Sequence, residues 1–135
     1  MTVATEPLLE VEDLQVRFHT RTGIVEAVRG LSFVLGREKL GVVGESGSGK
    51  SMTGRAILGL VPPPGEVRAR RLAFRGRDLL GLDEAGMRAI RGRRISMVLQ
   101  DPKFSLNPVM RVGDQVAEAY RQHHRANRTD ARARA

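Results

Sequence analysis

The sequence predicts an α/β fold organised around a phosphate-binding loop. A Gly/Ser-rich octapeptide, Gly44 to Ser51, lies between a short apolar run and a helical pattern. Two alternating β segments precede it. A second apolar run, ending at Gln100, and a further helical stretch follow it.

Composition fits such a fold. The chain has 135 residues, 41% hydrophobic and 28% charged, which suits one small globular domain. It contains no cysteine, which excludes disulfides and thiolate zinc sites. Residues 1 to 7 show no basic segment followed by an apolar core, so no signal peptide is expected. The apolar runs are too short to span a bilayer. The net charge is +8, mostly from arginine, with small clusters at Arg68, Arg70, Arg71 and at Arg91, Arg93, Arg94. Four Phe and one Tyr make a poor base-stacking platform, so no specific nucleic-acid partner is expected.

Residues 8 to 18 partly alternate and read as a strand, Thr20 to Gly23 as a turn, and 24 to 35 as a second β segment. Leu40 to Val43 reads as a short buried strand running into the loop. From Lys50 to Leu60, Met52, Ala56 and Leu60 recur on one helical face, and the prolines at 62 to 64 stop that helix. Residues 67 to 75 read as a strand, followed by a turn over Gly76 to Asp78. Asp83 or Asp78 can cap a short helix reaching about Arg91. Arg94 to Gln100 reads as another buried strand, Asp101 to Pro108 as a loop, and Val112 to His124 as a helix. A last helix is expected over 129 to 135, capped by Asn127 or Thr129.

The loop matches Gly-x4-Gly-Lys-Ser in a strand–loop–helix setting. Each residue type has a physical reason. The glycines allow backbone N–H groups to form an anion nest, and the helix N-terminus adds partial positive charge. Lys50 supplies a cation for the β- and γ-phosphates, and the Ser51 hydroxyl a hard oxygen ligand for Mg²⁺. Gly44, Glu45, Ser46, Gly47, Ser48, Gly49, Lys50 and Ser51 are therefore the candidate nucleotide-binding residues. Kinases, GTPases, helicases and transport ATPases share this loop, so it does not name a reaction.

Further motifs narrow the family. The loop Gly-Glu-Ser-Gly-Ser-Gly-Lys-Ser, the segment Ala27 to Phe33 and the strand ending Met97-Val98-Leu99-Gln100 resemble the ATP-binding-cassette family. Gln100 to Pro108, with Ser105-Leu106-Asn107-Pro108, is similar to its oligopeptide and dipeptide importer branch, which nickel importers also approach. Val109 to Gln115 and the insertion Thr20 to Gly23 continue that likeness. The turn glycine at Gly36 departs from the pattern by one position.

The resemblance implies a P-loop NTPase fold, an antiparallel β subdomain joined to part of a RecA-like core. Residues 1–135 would form the N-terminal part of one nucleotide-binding domain. It implies ATP and Mg²⁺ as cofactors, Lys50 and Gln100 as catalytic residues, and Ser51 and Gln100 as metal ligands. Phe18 is the candidate for stacking on adenine, although a core phenylalanine reads equally well. The implied partners are integral-membrane permease subunits and a second ATPase subunit, alike or different, at the cytoplasmic face of the plasma membrane. The signature Leu-Ser-Gly-Gly-Gln, an apolar strand ending in Asp-Glu and a switch histidine do not occur here, and His123 and His124 read as solvated. The expectation is thus an ATPase whose present residues bind nucleotide but do not hydrolyse it unaided, with exposed apolar faces and marginal stability. Two other readings remain: a small-molecule kinase, for which the Ser-Leu-Asn-Pro stretch has no role, and a basic nucleic-acid-binding fragment.

Overall fold

A computed structural model describes residues 6–100 and 106–135. It divides into two compact units, residues 1–87 and 88–135. The loop expected over 101 to 108 falls largely outside the described residues.

The first unit is organised by a long hairpin. Strand β1 (Leu9–Thr20) pairs antiparallel with β2 (Gly23–Leu35) along its whole length. Its other edge carries two shorter partners, β3 (Gly65–Arg68) opposite Gln15 to Phe18 and β4 (Arg71–Phe74) opposite Leu9 to Glu12. A short strand β5 (Arg77–Asp78) adds to β4 through a turn in which Arg75 and Gly76 both have positive φ, 49° and 72°.

The partial alternation of β1 has a structural cause. Leu9 and Val11 are buried on one parity and Leu14 and Val16 on the other. A β-bulge between them resets the face. Asp13 sits in it with φ +51°, its N–H donating to Ser32 Oγ at 2.9 Å. Opposite this bulge the strand expected over 67 to 75 is broken into β3 and β4. There Arg70 N–H donates to Glu12 O at 2.9 Å. Arg71 donates to Glu10 through Nε at 2.8 Å and NH2 at 2.9 Å, tying β4 to β1.

Helix α1 (Lys50–Ile57) packs on β1 and β2 and buries Thr53 and Ala56. It ends before Leu60 because Gly59, at φ +61°, turns the chain, and Leu60 N–H reaches back to Arg55 O at 2.8 Å. Ahead of α1, the Glu38 carboxylate accepts Gly36 N–H at 2.8 Å, closing the turn after β2. Leu40 to Val43 form no strand, contrary to expectation, and Val43 is 96% exposed. An unpaired segment of this kind needs parallel neighbours on both sides, and none lies beside it among the described residues.

Helix α2 (Glu84–Ile90) begins under the expected cap, with Asp83 Oδ1 accepting Gly86 N–H at 2.8 Å. In the second unit, Gly92 (φ +76°) turns the chain, and a single bridge joins Arg91 to Ile95. The rest of the expected strand, to Gln100, is unpaired, and Val98 is 89% exposed, for the same reason. Helices α3 (Val112–His123) and α4 (Arg128–Arg134) pack together through Ala117 and Ala131, both buried. Arg132 Nε donates to Asp114 Oδ1 at 2.7 Å, and Asn127 Oδ1 caps α4 through Asp130 N–H at 2.8 Å.

Candidate nucleotide-binding site

The phosphate loop is shaped by its glycines. Gly47 has φ +82° and Gly49 φ +93°, a left-handed backbone that other residues adopt only under strain. At Gly49 the requirement is double, since a Cβ there would meet the Ala27 carbonyl oxygen at 2.4 Å. Strand β2 therefore lies directly against the loop. Gly44 is similarly close-fitted, because its Cβ would reach Ser48 Oγ at 2.5 Å. Ser48 N–H closes a turn onto Glu45 O at 3.2 Å.

Gly49 is also the N-cap of α1, and it offers no side chain to the first N–H groups. The first turn of α1 holds no acidic residue. Its donors and its partial positive charge are thus left for an anion. Lys50 lies across the loop, donating from Nζ to Gly44 O and Glu45 O, both at 2.6 Å, and to Ser48 Oγ at 3.2 Å. These acceptors are neutral. Phosphate oxygens in their place make stronger, charge-assisted bonds.

A cavity of about 510 Å³ opens beside the loop. Residues 26–31 of β2 wall one side, and Val42, Val43, Gly47, Ser48, Lys50 and Thr53 wall the other. Its volume falls in the usual range for small-molecule sites, roughly 300–1,000 Å³. Thr53, 7% exposed, is tied by its hydroxyl and its N–H to Gly49 O at 3.0 and 2.8 Å, which holds the first turn of the helix under the loop. A cavity walled by an anion nest and a lysine fits a nucleotide phosphate chain. The exposed Ser51 hydroxyl in the first turn of α1 is a hard oxygen donor of the kind that Mg²⁺ accepts alongside phosphate oxygens.

The expected residues are distributed as follows. Gly47, Ser48 and Lys50 line the cavity. Gly44, Glu45 and Ser46 complete the loop, and Ser51 is exposed in the first turn of α1. Phe18 does not line the cavity. It is half-buried on β1, opposite Val25 and Gly65, and a Cβ on Gly65 would meet its ring at 2.8 Å. Gln100 lies exposed in the second unit. Sequence reasoning missed the β2 wall. Ala27 to Phe33 carry a family likeness but nothing in them marks a wall of the site, and the pairing of β2 with β1 sets Ala27 against Gly49.

Residues 28–135 match the family model described as ABC transporter. The chain belongs to the ABC transporter family. It is 47% identical over 130 residues to the oligopeptide transport ATP-binding protein of Bacillus subtilis, covering 95% of this chain and 36% of that protein. Against the dipeptide transport ATP-binding protein of Lactococcus lactis the identity is 46% over 135 residues, 98% of this chain and 39% of the relative. The Haemophilus influenzae oligopeptide transport ATP-binding protein is 48% identical over 118 residues, 87% of this chain and 36% of the relative. The chain thus spans well under half the length of these ABC ATP-binding proteins. No helix among its described residues is long and apolar enough to cross a membrane.

Proposed function

We propose that this chain provides the phosphate-loop part of an ATP-driven importer subunit, binding ATP with Mg²⁺ to power uptake of peptides or a similar solute. The observation that carries the reading is the loop itself. Lys50 is held over left-handed glycines at the open N-terminus of α1, beside a cavity walled by β2. The loop donors and Lys50 bind the phosphates, and Ser51 holds the accompanying Mg²⁺. Bound ATP-Mg supplies the phosphoryl-transfer chemistry that drives transport. Gln100 is assigned to the metal and the attacking water, and Phe18 to the adenine ring.

The printed names of the relatives support a peptide solute. Family membership supports integral-membrane permease subunits and a second ATPase subunit as partners, at the cytoplasmic face of the membrane. Hydrolysis needs a positioned water and metal held from two sides. The 135 residues supply the loop side, so the polypeptide alone is expected to bind nucleotide with turnover at background.

Equilibrium titration of the chain with a fluorescent ATP analogue and Mg²⁺ tests the reading. Lys50→Ala is expected to weaken binding at least about tenfold, as the loss of a charge-assisted contact of about 1.5–3 kcal/mol requires. Unchanged affinity in a folded Lys50→Ala variant overturns it.

A further inference from the structure

Charge is divided unevenly between the two units. Residues 1–87 hold 12 Lys and Arg against 11 Asp and Glu, whereas residues 88–135 hold 11 against 4. Almost all of the net charge of +8 therefore sits in the second unit. Among the described residues there, Arg132 is tied to Asp114, while Arg93, Arg94, Arg121, Arg125 and Arg128 are exposed and carry no ion pair. Folding gathers these five. His123, half-buried in the last turn of α3, packs on the turn at Gly92, where a Cβ would meet its Nε2 at 2.5 Å. Arg93 and Arg94 are thereby set beside the end of α3 that carries Arg121, with Arg125 just past it. Arg121 also lines, with Arg128, a groove of about 160 Å³ along α3 and α4. Asp114 in that groove is neutralised by Arg132, which leaves Glu118 as its one other carboxylate. Met110, 41% exposed, lines the same groove, and Val109 next to it is 88% exposed.

Two kinds of extended polyanion match such a surface, nucleic acid and an anionic membrane. Base stacking needs a free ring, and the chain's one tyrosine, Tyr120, is already stacked on His124 with ring centroids 4.1 Å apart. Exposed apolar side chains beside arginines suit a lipid headgroup layer, which takes up both. Attraction to a charged plane acts over a Debye length, about 8 Å at physiological ionic strength, so it depends on charge density and not on a fixed guanidinium geometry. Resting on the membrane-face location proposed above, but not on nucleotide binding, we propose that the second unit carries a cationic patch, built from Arg93, Arg94, Arg121, Arg125 and Arg128, that holds the chain against anionic phospholipid headgroups.

Co-sedimentation of the full chain, without nucleotide, with vesicles of phosphatidylcholine alone or of equal parts phosphatidylcholine and phosphatidylglycerol tests the patch. The chain is expected to sediment with the anionic vesicles only, and to come off them as salt is raised. Arg93→Gln/Arg94→Gln and Arg121→Gln/Arg125→Gln should each weaken the partition at least about tenfold, since one arginine near such a surface contributes about fivefold. The pair Arg21→Gln/Arg77→Gln removes two exposed charges from the first unit and should stay close to wild type. Circular dichroism and the melting midpoint confirm that the variants are folded. If both patch pairs match the first-unit pair, the patch is overturned. Equal sedimentation with the two kinds of vesicle overturns it as well. If a DNA duplex at equal phosphate concentration strips the chain from the anionic vesicles, the surface is a nucleic-acid site and the lipid assignment fails. Titration of the same proteins with the fluorescent ATP analogue keeps the two readings apart. Nucleotide binding without vesicle binding overturns the patch and leaves the phosphate-loop reading standing, whereas vesicle binding without nucleotide binding does the reverse. Should a double variant not fold, Arg125→Gln, outside any helix, decides: an unchanged partition overturns the patch.

Discussion

Two parts of the first unit were built from similar apolar residues and ended differently. In β1, Leu14 and Val16 are completely buried. In the run ahead of the phosphate loop, Leu40, Val42 and Val43 are 46%, 51% and 96% exposed. The difference lies in where each finds its partners. β1 meets β2 through a turn at Thr20 to Gly23, and β3 and β4 reach its other edge antiparallel. Such pairing needs only short connections. A run like Leu40 to Val43 has the unbroken apolar character of a parallel strand, and parallel neighbours come from distant crossovers. Hydrophobicity alone did not bury it.

That contrast can be broken by substitution. Leu14→Ala is expected to destabilise the unit by about 2–5 kcal/mol, as large-to-small changes in a closed core do. Val43→Ala is expected to stay within about 0.5 kcal/mol, as at ordinary exposed positions. Urea unfolding of the two variants side by side measures both. Equal costs would mean that residues 40–43 are packed as tightly as β1.

The next effect sharpens the junction between β2 and the loop. Gly49→Ala combines a left-handed backbone, costing roughly 1–2 kcal/mol, with a clash against the Ala27 carbonyl at 2.4 Å. Gly47→Ala carries similar backbone strain, but a Cβ there meets nothing within 4 Å. Gly49→Ala should therefore lower both the melting midpoint and nucleotide affinity more than Gly47→Ala does. A reversed order would remove β2 from the site.

The smallest effect concerns the surface clamp between β1 and β4. The side-chain hydrogen bonds from Arg71, with its charge adding, hold the Glu10 carboxyl below its ordinary range. A depressed carboxylate stabilises the fold above its unfolded pKa, and that contribution fades as the pH falls below about 4. Glu10→Gln should thus lower stability slightly at neutral pH and converge with the wild type in acid. A gap that persists unchanged at pH 3 would assign the effect to packing. Because the pair is solvent-exposed, raising the salt concentration should also shrink the gap.

Much of the fold could be read locally. The β1–β2 turn, the Asp83 cap, the Asn127 cap and the extent of α3 all depend on near neighbours in the chain, and they form where expected. The end of α1 was expected too late because Gly59 stops the helix before the prolines do. The division of 67 to 75 into two strands was not legible, because its cause, the bulge at Asp13, lies more than fifty residues away.

What the sequence determined by itself is the loop. The left-handed backbone at Gly47 and Gly49, Lys50 lying across the loop and the start of the helix behind them all arise within eight consecutive residues. What only the tertiary structure decided is the other wall. Ala27 and Val28 reach the loop because β2 pairs with β1, and an antiparallel register carries no mark of its destination in either strand alone.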